Sequence, residues 1–276
     1  MRIQPSVWAG VALLVLLAGW MPGAVANAQE QQQQQPAFGA PANQPTPEEE
    51  NAIRQIYTTG DPDQKLALVK EFIEKYPDSQ YTGLAYRAAA EAYRRQAKFA
   101  QVVEYGEKAI EFSQGRDAIA YLVVADALAE SALPIHADAK EKLAKAEEYA
   151  LRALQILPEM AAGRQRREGV SEEEYKRQHG MVEGLGHAIL GNVYFRRQEH
   201  AKAVEELTKA IATDGYQPDG VDFQRLGFAH LRQQQLKEAE AAFQQCVERG
   251  GSAGAECQKR VEYVREQLAA QEKPQP

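Results

Sequence analysis

Few side chains in this 276-residue chain stand at spacings that could do covalent or metal chemistry. There are two cysteines, Cys246 in a small-residue slot of a helical pattern and Cys257 in the first turn of the next helical segment. In an oxidising compartment such a pair tends to close into a disulfide, worth about 2–3 kcal/mol for so short a loop. In a reducing one the two are small buried hydrophobes, and both readings stay open on the sequence. Of the five histidines, His187 and His230 fall on apolar helical stripes and read as packed side chains. His136, His179 and His200 lie in inserted or turn-proximal sequence with no partner at metal-ligand spacing, so no metal is expected. P-loop, G-x-S-x-G, H-E-x-x-H and C-x-x-C patterns do not occur. Gly184-Leu185-Gly186 sits inside a helical pattern with no preceding strand and carries no nucleotide signal. The expectation is a protein without catalytic residues or cofactor, whose chemistry is recognition.

The elements that must position the recognition residues show in two related stretches, His187 to Ile211 and Phe223 to Val247. In the first, His187 is followed by Leu190, Gly191 and Tyr194, then by Ala203, Leu207 and Ala210. In the second the same offsets hold Phe223, Leu226, Gly227 and His230, then Ala239, Phe243 and Cys246. Offsets of three and four put each set on one helical face. Two antiparallel helices can approach closely where Gly191, Ala203 and Ala210 leave room, while Leu190, Tyr194 and Leu207 fill the seam. One hairpin cannot bury its apolar face alone, so several stacked units and an atypical end are expected.

This spacing resembles the tetratricopeptide repeat, W-x2-L-G-x2-Y…A-x3-F…A, over nearly all of the chain after about residue 48. Tyr194 and His230 are 36 residues apart, against the family's 34, and the turn sequence GYQPDG accommodates the surplus. The resemblance implies an all-α, right-handed solenoid of about four to five hairpins with a C-terminal capping helix. A degenerate unit is expected at 48–77 and repeats at about 82–115, 118–158, 184–216 and 220–252. The capping helix is expected at 255–272. From Leu128 to Ala146 is 18 positions, against 9 from Tyr194 to Ala203, so ESALPIHADAK reads as a longer turn. Pro158 is expected to stop a helix. Ser171 with Glu174 is a capping box starting a helix that runs, with a break at Gly180, into His187.

Ahead of the repeats, residues 1–28 carry Arg2, an apolar run from Val7 to Ala18 and a small-residue A-x-A end, the pattern of a cleaved secretory signal peptide. The rival reading is an uncleaved membrane anchor, against which the apolar run falls short of the ~20 residues a span needs; after cleavage no stable membrane span is expected. Residues 29–47, rich in Gln and Pro, read as a disordered linker. A periplasmic or secreted location follows. The sequence is similar to exported tetratricopeptide proteins of bacterial envelopes, such as the outer-membrane assembly and Tol-Pal coordinator families. It lacks the lipid-bearing Cys of the first and the coiled coil of the second, and neither role carries over.

In the family, the first helix of each pair lines a concave groove whose exposed positions select a peptide. Those positions here hold Arg87, Glu91, Arg94, Arg95, Asp126, Glu130, Asn192, Arg196, Arg225 and Arg232. Guanidinium forks pair carboxylates, so an acidic segment or a free C-terminus is the ligand these residues suit. Asn192 stands where the family's carboxylate-clamp Asn would, with Ala188 in place of the accompanying Lys. A net charge of −7 argues against nucleic acid as a partner. The function expected is therefore a non-enzymatic envelope adaptor binding a partner peptide in the groove. The alternative is a structural subunit that self-associates or docks by its convex face.

Overall fold

The structure is a computed structural model that describes residues 45–163 and 171–271. The expected signal peptide at 1–28 and residues 29–44 of the expected linker lie outside the described residues, as do residues 164–170 and 272–276. Eleven α-helices follow one another among the described residues, with no strand. They are α1 (Pro47–Thr58), α2 (Pro62–Lys75), α3 (Thr82–Arg95), α4 (Phe99–Phe112), α5 (Ala118–Ser131) and α6 (Ala139–Gly163). Then come α7 (Glu172–Arg196), α8 (His200–Ala212), α9 (Gly220–Arg232), α10 (Leu236–Arg249) and α11 (Gly254–Gln271).

Helix starts follow the local chemistry. Thr46 caps α1 in a capping box with Glu49, Asp61 caps α2, Asp117 caps α5 and Ser171 caps α7. Three turns inside pairs, α3–α4, α7–α8 and α9–α10, reverse the chain through one left-handed residue each. These are Ala97, Gln198 and Gln234, at φ 55°, 63° and 61°. The α5–α6 turn carries the expected extra length and has no such residue.

The helices pack as five consecutive pairs, α1/α2 through α9/α10, with α11 laid against α10. Successive first helices also touch, α1 with α3, α3 with α5, α5 with α7 and α7 with α9, while successive second helices do not pack on each other to that extent. First helices that crowd together and second helices that splay define a concave and a convex side. The seam is made as the spacing requires: Leu207, Ala203, Ala210, Ala239 and Phe243 are fully buried. A Cβ on Gly191 would lie 2.6 Å from Leu207 Cγ, and one on Gly227 2.7 Å from the Phe243 ring.

Two boundaries differ from expectation. Pro158 does not end α6, which continues to Gly163. Proline removes one backbone donor, and burial of Ile156 and Leu157 in the cluster shared with Val182 and Leu185 of α7 holds the helix across that gap. Nor does α7 break at Gly180; it is one helix from Glu172 to Arg196. Gly180 is instead a point of close approach, since a Cβ there would lie 1.8 Å from the Asp214 carbonyl oxygen.

The last helix is covalently tied. Cys246 and Cys257, both fully buried, form a disulfide with Cα atoms 6.1 Å apart, and Val261 and Val264 share their apolar cluster. Replacing both cysteines with Ala is expected to lower stability by about 2–3 kcal/mol. A urea titration of the oxidised chain beside the double variant checks this; equal midpoints would show that the bond contributes nothing.

Candidate interaction face of the first helices

The concave side carries a chain of polar contacts running from first helix to first helix. At its start Arg87 of α3 is buried, 3% exposed. Its guanidinium donates to both Asp117 oxygens at 3.0 Å and to the Tyr57 hydroxyl, with Glu91 at 3.7 Å. The Tyr57 hydroxyl in turn donates to the Leu84 carbonyl. Asp117 also caps α5 through the amides of Ile119 and Ala120. Burial pushes the Glu91 carboxyl up, and Arg87 only partly offsets it. Next, Arg94 Nε donates to Asp126 at 2.7 Å, and Arg95 reaches back to the Gly60 carbonyl at 3.1 Å.

The densest knot gathers around Glu130, near the end of α5. Its carboxylate accepts from Asn192 Nδ2 at 2.9 Å, Arg196 at 2.9 Å and Arg225 at 2.7 Å. Arg196 Nε donates to the Asn192 amide oxygen, so α5, α7 and α9 meet at one carboxylate. Burial works to raise the Glu130 pKa, and Arg225, Arg196 and the Asn192 amide overcome it, holding the group below its usual range.

The residues singled out in the sequence thus lie on one continuous face, but most are turned to each other rather than outward. Arg87 is buried among its partners and offers no groove surface. Arg94, Arg196 and Arg225 pair carboxylates as their chemistry predicts, yet these carboxylates belong to the chain itself. Arg232, at the end of α9, is exposed and has no ion pair among the described residues. Spacing alone could not reveal these pairs, because Arg87–Asp117 and Arg225–Glu130 join positions 30 and 95 residues apart. Asp117 did carry a readable signal, an Asp directly before an apolar helical run. His187 and His230 pair with Glu206 and Gln235.

Beside the knot, Asp222 is buried and accepts from the Tyr216 hydroxyl at 2.8 Å, with Arg225 at 3.9 Å. Burial, and then the neighbouring Asp219 charge, push the Asp222 carboxyl up to about 6. The ordinary unfolded value is near 4, so the folded chain holds the extra proton between about pH 4 and 6 and stability falls as pH rises through that window. Asp222→Asn is expected to remove that fall. Measured by urea titration, the stability of the wild type relative to the variant should drop on the order of 3 kcal/mol from pH 4 to 7. A constant difference would show that Asp222 titrates normally.

The deciding observation for the fold is repetition of one seam, with Gly191 under Leu207 and Gly227 under Phe243 at equivalent places in successive pairs. The fold is a tetratricopeptide-like helical repeat. No protein-family model matches the chain, and no curated protein matches it. Among solved structures it is similar to a thermophilic tetratricopeptide protein of Thermus thermophilus. That likeness has 19% identity and a TM-score of 0.49, and covers 78% of this chain and 98% of that chain. Among the described residues no group of side chains could hold a metal ion, and no helix is long and apolar enough to cross a membrane.

Proposed function

We propose that this chain is an exported, non-enzymatic adaptor of the cell envelope that takes an acidic segment or free C-terminus of a partner protein along its concave side. One observation carries the reading. Arg196, Arg225 and Arg232 stand on the neighbouring helices α7 and α9, and their donors outnumber the carboxylate oxygens set against them. Each guanidinium has five N–H donors. Glu130 occupies one of these on each of Arg196 and Arg225, Asn192 takes a second on Arg196, and Arg232 is exposed. Rigid packed helices keep such donors in place before a ligand arrives, which lowers the ordering cost of binding. The export reading is supported by the leader-like residues 1–28 and by a disulfide that suits an oxidising compartment.

Arg232→Glu tests this without touching the internal pairs. Crosslinking in the native envelope is expected to recover a specific partner with the wild type and to lose it with the variant. An unchanged partner set, or crosslinks only between copies of the chain, would move the function to the convex side.

A further inference from the structure

Helix α3 has a second face, turned away from the charged ladder, and it is aromatic. Tyr86 and Tyr93 of α3 form the floor of a cleft whose walls are α2, through Leu66 and Ile73, and α4, through Tyr105 and Lys108. It holds about 440 Å³, within the range of about 300–1,000 Å³ usual for ligand clefts. The rings form a connected surface, with Tyr93 and Tyr105 centroids 5.1 Å apart and Tyr86 and Tyr105 6.0 Å apart. It opens on the convex side, where α2 and α4 splay.

The charges at its rim are already cancelled. Lys108 pairs with Glu104 at 2.8 Å while lying 4.9 Å from the Tyr105 centroid, and Lys70 pairs with Glu74 at 3.8 Å. An aromatic cleft with a neutral rim suits an uncharged, ring-bearing segment, and proline-rich chain is the peptide type that aromatic grooves take most readily. The chain supplies such a segment itself. Residues 31–44 contain no charge, and Pro36-Ala37-Phe38-Gly39-Ala40-Pro41 holds their one aromatic residue between two prolines.

The point of attachment is also right. Helices α1 and α2 pack against each other across the short 59–61 turn, so the chain enters α1 beside the end of α2 that carries Ile73. Phe38 precedes Thr46 by eight residues, a reach of up to about 26 Å when extended. From Ile73 to Leu66 along α2 is only about 10 Å.

We infer that the Pro36–Pro41 segment docks in cis into the tyrosine cleft between α2 and α4, with the Phe38 ring against Tyr86, Tyr93 and Tyr105.

Tryptophan fluorescence tests this directly, because Trp8 and Trp20 are the chain's two tryptophans. In the full chain carrying Trp8→Phe, Trp20→Phe and Phe38→Trp, the indole at position 38 is the only one, whether or not residues 1–28 are removed. Its emission is expected to be blue-shifted and protected from acrylamide, equally at all protein concentrations. Adding Tyr105→Ala, or separately Tyr86→Ala, should raise quenching severalfold while circular dichroism shows the helices intact. A water-like emission, or protection that neither tyrosine variant relieves, overturns the proposal. Protection that disappears on dilution also overturns it, by assigning the cleft to a second copy.

Discussion

Arg87→Ala is expected to destabilise the chain by about 3–5 kcal/mol, because it leaves the half of a buried ion pair that cannot move away. Asp117 would keep its position as the cap of α5, bonded to the amides of Ile119 and Ala120, but lose both guanidinium contacts at 3.0 Å. Tyr57 would lose its donor, and the already strained ionisation of Glu91 would lose its offsetting cation. Arg87 also joins three first helices, since its partners belong to α1, to α3 and to the start of α5. The variant should therefore unfold the first unit before the rest, giving a broadened or two-step urea transition. Arg87→Lys should recover only part of the loss, because one ammonium cannot span both Asp117 oxygens and the phenol. A cost below about 1 kcal/mol would place this network among exposed pairs of little consequence.

Gly180→Ala is expected to cost about 1–3 kcal/mol, for a reason that has nothing to do with helix propensity. Alanine is the better helix former, by about 1 kcal/mol at a free site. Here, however, the added methyl would meet the Asp214 carbonyl oxygen, a backbone atom that no rotamer change can remove. The α8–α9 connection would have to lift from α7 and carry Tyr216, packed against Gly184, with it. Gly254→Ala is the control: this glycine opens α11 with nothing within 4 Å of the added methyl, and the change should be neutral to stabilising. If both substitutions stabilised alike, the close approach at Gly180 would have no energetic weight.

The two predictions divide what was legible in the sequence from what was not. Seams made by residues three, four and nine apart could be read, because the helical period forces His187, Leu190, Gly191 and Tyr194 onto one face wherever the chain goes. Stops were less secure. Pro158 removes a hydrogen bond but does not decide the helix when Ile156 and Leu157 just before it are held by a neighbour. Charge was legible in kind but not in its partners within the fold. Arginines at first-helix positions do seek carboxylates, yet which carboxylate depends on the stacking of units, so Glu130 could not be matched to Arg225 by spacing. The tyrosine cleft was hidden for the same reason, its walls coming from different units.

The turns inside the pairs have a practical meaning for anyone wishing to alter this protein. Ala97, Gln198 and Gln234 reverse the chain in left-handed conformations, so a residue added there is expected to disturb the tight reversal and the seam beside it. The α5–α6 connection is free of that constraint and displays Ile135 at 86% exposure on its crest. It is the natural port for a graft: an epitope or fluorophore inserted between Pro134 and His136 would ride outside the solenoid while the register of all five pairs stays as it is.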